Sequence, residues 1–181
     1  MDEECLIMSV LLKTICLSVA VLFCACSSVN KDVDVVSNFS KEKYLGKWYE
    51  IARMDFKYEK DLNNTTAEYS VIDGNKIKVV NRGYNYKTGE WKEAVGKAKF
   101  KTTEDRGELL VSFFGPFYGA YNIVALDTDY QYSLVMGGSE TTLWILSRTK
   151  TIPDNIKEKY LAKARELGFD VNKFIWVEHN K

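Results

Sequence analysis

The chain has 181 residues with 25 Lys+Arg, 25 Asp+Glu and one histidine, so its formal net charge is zero and gives no electrostatic footprint for nucleic acid. At 46% hydrophobic and 28% charged it is too apolar for a disordered chain and too charged for a bundle of membrane spans, and its length fits one globular domain. The four cysteines, Cys5, Cys16, Cys24 and Cys26, precede residue 30 and cannot staple a domain that begins after it.

Residues 15–25, ICLSVAVLFCA, form an apolar run of signal-peptide length, too short to span a membrane, with Lys13 just before it. Asp2, Glu3 and Glu4 suit such a leader badly, which points to Met8 as the translation start. The segment Phe23-Cys24-Ala25-Cys26-Ser27-Ser28 resembles a bacterial lipobox. Ala25 puts a small residue before Cys26, whereas Cys24 follows bulky Phe23, so Cys26 is the expected lipid acceptor. The alternative is an ordinary secretory signal cut near Ala25 with no lipid. Cleavage before Cys26 would remove one lysine and three acidic residues, shifting the formal charge to about +2, still near neutral. Each buried acyl methylene adds about 0.8 kcal/mol to membrane affinity, so a multiply acylated Cys26 would hold the domain at a membrane. Ser27, rather than Asp, resembles the outer-membrane sorting pattern. Residues 1–25 thus read as a lipoprotein signal and 26–38 as a lipidated terminus and polar tether.

Ser40 is placed to cap a brief helical turn through Tyr44 and Leu45, closed by Gly46. Eight alternating or β-rich runs follow, at 47–54, 66–72, 76–84, 91–100, 108–114, 118–126, 131–136 and 143–148. Short turn signals separate them, among them Lys87-Thr88-Gly89 and Gly115-Pro116, so neighbours are expected to be antiparallel. Residues 153–167 then place Ile156, Tyr160, Leu161, Ala164 and Leu167 on one helical face, with Pro153 at the first turn and Gly168 past the last. A short strand at 174–177 closes the pattern. The expected fold is all-β: an eight-stranded antiparallel up-and-down barrel with one C-terminal helix packed outside, over residues 39–178.

Gly46-Lys47-Trp48-Tyr49-Glu50 resembles the G-x-W signature of the lipocalins. Thr128-Asp129-Tyr130 matches their second motif, and Leu143 to Arg148 carries the arginine of the third. The stretches FFGPFYGAYN (113–122) and GFDVNKFIWV (168–177) look like the bacterial lipocalins, outer-membrane lipoproteins similar to apolipoprotein D. The resemblance implies that Trp48 sits at the closed end of the barrel with the Arg148 guanidinium across its ring, and that Asp129 and Tyr130 belong to a loop at that end. Gly46, Trp48, Thr128, Asp129, Tyr130 and Arg148 are therefore expected to be structural.

Strand parity selects the chamber. If Trp48 points inward, Glu50, Ala52 and Met54 share its face, and if Arg148 does, so do Leu146 and Trp144. Tyr118 and Asn122 are expected to line it from the sixth strand. The alternative for Trp144 and Tyr118 is outward packing or core filling, and Glu50 must be paired or protonated if it lies inside. His179, the only histidine, lies beyond the last strand and anchors no catalytic triad; no metal site, phosphate loop or cofactor is expected.

The expected function is binding of a fatty acid or lysophospholipid by a non-enzymatic lipoprotein of the outer membrane, facing the periplasm. Its partners are that ligand and, through acylated Cys26, the membrane, with a homodimer left open. A side-chain-filled structural barrel and an enzyme acting on bound lipid are the alternatives.

Overall fold

The computed structural model describes residues 33–181 except Asn75 and Glu140. The expected signal, Cys26 and the first part of the tether lie outside the described residues. Val33–Lys181 forms one compact unit.

Eight strands follow in a meander: β1 (Gly46–Arg53), β2 (Leu62–Asp73), β3 (Lys76–Asn85), β4 (Glu90–Phe100), β5 (Glu108–Phe114), β6 (Phe117–Leu126), β7 (Tyr132–Gly137) and β8 (Leu143–Ser147). Each pairs antiparallel with the next, and β1 closes the ring by pairing with both β2 and β8. The short helix α1 (Lys41–Tyr44) precedes β1, its N-terminus capped by the Ser40 hydroxyl, which accepts from the Lys43 amide at 3.3 Å. Gly46 has φ +92°, a turn that only glycine makes without strain.

Two apolar clusters account for the strand pattern. Inside the barrel pack Trp48, Tyr69, Val79, Leu109, Ile123, Val135 and Leu146. Outside it, Ala52, Val124, Leu134 and Ile145 pack with Tyr160, Leu161 and Ala164 of α2 (Asp154–Glu166). Adjacent pairs such as Ile123/Val124, Leu134/Val135 and Ile145/Leu146 split between the two clusters, as a period of two requires where a wall is buried on both faces. Tyr160 donates its hydroxyl to the Tyr132 carbonyl at 2.8 Å, and Ile156 and Leu167 complete the packed face.

After α2, a 3-10 turn (Val171–Lys173) leads to β9 (Ile175–Trp176), which pairs with Ala52 and Arg53 of β1. That is the edge β2 leaves, because β2 pairs only with Gly46 to Tyr49. Beyond β9 the Val177 amide donates to the Ile51 carbonyl at 2.9 Å, the Asn64 amide to the Glu178 carbonyl at 2.8 Å, and the Lys181 amide to Asn64 Oδ1 at 2.8 Å. Residues 175–181 thus thread the gap between two diverging strands and satisfy both exposed edges. β2 begins at Leu62 rather than residue 66, because a register shift between Asn63 and Thr66, with Asn64 at φ +51°, carries the chain through a polar stretch without alternation.

Candidate functional site

The closed end is built around Trp48. Its ring is fully buried and its Nε1 donates to the Tyr44 carbonyl at 2.8 Å. The Arg148 guanidinium carbon lies 3.8 Å from the Trp48 ring centroid and its nitrogens donate to the carbonyls of Tyr130 (3.1 Å), Lys47 (2.9 Å) and Lys43 (2.8 Å). One side chain therefore ties α1, β1 and the β6–β7 loop together. Tyr130, at φ +56°, accepts from the Ser40 amide at 2.8 Å. Thr128 and Asp129 are exposed; the carboxylate that organises this loop is Asp127, which accepts from the amides of Asp129 (3.1 Å) and Gln131 (2.7 Å).

Above this plug three phenols meet. The Tyr121 hydroxyl lies 2.8 Å from those of both Tyr44 and Tyr69, and Tyr44 is 3.2 Å from Ser133 Oγ. Burial pushes the Tyr44 phenol up to about 12 and raises Tyr69 and Tyr121 as well, so all three are neutral hydrogen-bonding groups. A cavity of ≈ 10 Å³ beside them, lined by Phe39, Tyr69, Ile77, Leu109 and Tyr121, has room for about one water. Strand parity does not single out Tyr69 and Tyr121: the run 66–72 that contains Tyr69 has no motif residue to anchor its parity, and the parity expected for β6 puts Tyr118 and Asn122 inside and Tyr121 outside.

Toward the mouth, a bulge changes what β1 presents. The β1–β8 register shifts between Glu50 and Ala52. Two consecutive residues, Ile51 and Ala52, then pack outside under α2, and Met54 follows them into the same cluster. This corrects the expectation for Ala52 and Met54: constant alternation fails across an inserted residue. Arg53 takes the inward position instead. Its Nη1 donates to Glu50 Oε1 at 2.7 Å, and its Nη2 donates to the carbonyls of Glu59 (2.8 Å) and Leu62 (3.0 Å). Glu50 is 6% exposed and Arg53 2%, so Glu50 is inside and paired.

The β6 residues are also corrected. Tyr121 and Ile123 belong to the inner cluster, so Asn122 between them faces out, opposite Glu108 and Met136. Tyr118 shares that outer parity and lies under the ammonium groups of Lys99 (4.8 Å) and Lys97 (6.0 Å). The segment is apolar on both faces, so alternation alone does not say which of them faces in.

Trp144 and Leu146 face inward on β8, packed against the inner cluster. Trp144 Nε1 donates to Glu59 Oε2 at 2.9 Å, and Phe56 stands edge-on to the indole at 5.8 Å. Glu59 and Phe56 come from the β1–β2 loop, a segment with no periodicity to mark them. The result is a chamber wall of aromatic and apolar groups with one buried polar cluster, Glu50, Arg53, Glu59 and Trp144, below the mouth.

Burial raises both carboxyls; Arg53 opposes the rise at Glu50, while the Glu50 charge adds to it at Glu59, pushed up to about 8. A folded carboxyl that holds its proton more tightly than the unfolded one loses stability as pH rises, here from the ordinary range near 4.5 to about 8. Glu59→Gln keeps an acceptor for the indole and removes the ionisation. Its melting temperature should therefore rise relative to the parent between pH 5 and pH 8.5, read by circular dichroism. Parallel profiles for the two proteins would show that Glu59 titrates as a surface carboxylate.

With this geometry in view, the family description "Lipocalin-like domain" matches residues 39–179. The chain is 51% identical over 161 residues to the outer membrane lipoprotein Blc of Escherichia coli K12, covering 88% of this chain and 91% of that protein. Among solved structures, insecticyanin from Manduca sexta superposes with a TM-score of 0.66 at 23% identity, covering 81% of this chain and 84% of that one. The amine-binding protein of Rhodnius prolixus, solved as a tryptamine complex, superposes with a TM-score of 0.59 at 20% identity, covering 80% and 83%. At such identities the structural likeness speaks for the fold alone. The matching domain description, the half-identical relative and the closed barrel plugged by Trp48 and Arg148 agree: the chain belongs to the lipocalin family.

Proposed function

We propose that this protein is an outer-membrane lipoprotein, anchored through Cys26 and facing the periplasm, that binds a fatty acid or lysophospholipid for storage, transport or membrane maintenance without chemical turnover. The observation that carries the reading is the two-part interior: apolar and aromatic walls from Trp144, Leu146 and the inner cluster, with a single hydrogen-bonding group of side chains near the mouth. Such a wall favours an amphiphile whose chain is buried and whose head group meets polar atoms. At about 25 cal/mol per Å² of apolar area, a long acyl chain retains several kcal/mol after association costs, and short polar solutes do not. The half-identical relative, named an outer membrane lipoprotein, supports the location.

Trp144→Ala should weaken fatty-acid binding by about tenfold or more, because it removes a large inward ring. Tyr49→Ala, by contrast, should act on stability, since Tyr49 packs outside with its ring 5.4 Å from His179. Titration of a fluorescent fatty acid into each variant reads the difference. Parent-like affinity in Trp144→Ala overturns the assignment of this wall to the ligand.

One observation favours a second reading, a side-chain-filled structural barrel: the closed end, packed by Trp48, Tyr44 and the linked phenols, holds space for only about one water. Native mass spectrometry of a soluble form separates the two. A bound mass in the fatty-acid or lysophospholipid range supports the carrier, and a protein that stays empty with added lipid supports the filled barrel.

A further inference from the structure

The rim of the barrel carries a patch that ligand binding inside does not use. The β1–β2 loop brings Phe56 and Tyr58 there, and the β5–β6 hairpin brings Phe114, Pro116 and Phe117. The Tyr58 ring lies 5.3 Å from Phe56 and 6.2 Å from Phe114, so the two loops present one cluster. Phe56 is half-buried and the other rings are open to solvent: Tyr58 is 61% exposed, Phe114 67% and Phe117 78%, the most exposed large apolar side chain among the described residues. Single exposed apolar residues are ordinary, but a contiguous group of large rings marks a surface that meets something apolar.

The charges around the rings are mostly positive. Lys57 places its ammonium 4.8 Å from the Tyr58 ring centroid, and Lys99 lies at the same distance from Tyr118, with Lys97 at 6.0 Å. Of the loop's acids, Asp55 is exposed, Asp61 is engaged by Lys87 at 3.1 Å and Glu59 turns inward to Trp144.

We propose that this rim docks on the face of a lipid bilayer that contains anionic lipid. The rings enter the boundary between head groups and acyl chains, and the lysines, their stems along the rings, reach the phosphates. A bilayer fits better than a protein partner because the patch sets bare apolar rings, Phe114 and Phe117, beside rings with cationic tips, Tyr58 under Lys57 and Tyr118 under Lys99, a combination that an anionic interface satisfies throughout. The ring series Tyr58, Phe56, Trp144 continues from the rim into the barrel, so a docked mouth takes up its amphiphile from the membrane. Only this last step rests on the proposed carrier function; docking itself does not.

Val33–Lys181 is a compact unit with its own core, so a soluble chain beginning after Cys26 suits the test. It is sedimented with vesicles of phosphatidylcholine alone and of phosphatidylcholine with an equal part of phosphatidylglycerol. The parent should bind the mixed vesicles, and the double variant Phe114→Ser, Phe117→Ser should lose roughly tenfold or more of that binding with an unchanged melting temperature. Lys57→Gln with Lys99→Gln should lose binding to the anionic vesicles only. Monomeric fatty acid added from solution should still bind the ring variant. If it binds neither parent nor variant while vesicle binding behaves as described, the carrier function fails and docking stands. A parent that ignores both vesicles, or ring variants that bind them as well as the parent, overturns the proposal. So does light scattering that shows a dimer lost in the ring variant with no vesicle binding, which would assign the rim to a second copy.

Discussion

Replacing Arg53 with methionine should lower folding stability by about 3–5 kcal/mol, measured by urea unfolding at neutral pH. Arg53 is 2% exposed, and the substitution leaves Glu50, 6% exposed, as a buried carboxylate without its cation. It also strips the carbonyls of Glu59 and Leu62 of their donor at the point where the loop turns into β2. Burial raises the Glu50 carboxyl and Arg53 restrains that rise, so in the variant protonation of Glu50 offers relief. The deficit should accordingly shrink as the pH is lowered. Adding Glu50→Gln to Arg53→Met should recover a good part of it, because an uncharged pair no longer requires compensation. A loss below about 1 kcal/mol at neutral pH would mean that the pair is reached by water and contributes as a surface pair does.

Trp48→Ala should cost about 3–5 kcal/mol, the range for emptying a fully buried aromatic site. The ring is packed 4.8 Å from Tyr44 and covered by Arg148 at 3.8 Å, so neighbours cannot collapse into the space without breaking the plug. Arg148→Lys should cost less, about 1–2 kcal/mol: a charge stays over the ring, but one ammonium cannot reproduce the planar fork that serves three carbonyls. Because the two residues touch, the double variant should fall short of the sum, and a double-mutant cycle in urea measures the coupling. Strict additivity would show that Arg148 acts through its backbone bonds alone.

Much of the barrel was legible because its strands carry a period of two bounded by turn residues. The runs at 76–84 and 91–100, for instance, correspond to β3 (Lys76–Asn85) and β4 (Glu90–Phe100), and the helix expected at 153–167 is α2 (Asp154–Glu166). The interior was less legible, for two physical reasons. Parity propagates only while register is unbroken, and the bulge after Glu50 reversed it, sending Ala52 and Met54 outward and Arg53 inward. Parity is also silent where both faces are apolar, as in FYGAYNIVAL of β6, where the inner face belongs to Tyr121 and Ile123 and the outer one to Tyr118 and Asn122. Glu59 has no signal of this kind: it is one acid in a charged loop, and only the fold reveals that its carboxyl group meets the Trp144 indole.

The seam between β1 and β2 has a consequence for how the protein is made. β1 is among the first pieces of the barrel to be synthesised, yet one half of its edge waits for Trp176 and Val177, and Asn64 waits for a partner 117 residues downstream. Closure therefore cannot proceed strand by strand as the chain emerges. It is a late, long-range event, paid for in loop entropy, and until it happens two strand edges stand open to wrong partners. A barrel built this way stays unlocked until residues 175–181 arrive, so its firmness is a property of the whole domain and of no smaller part of it.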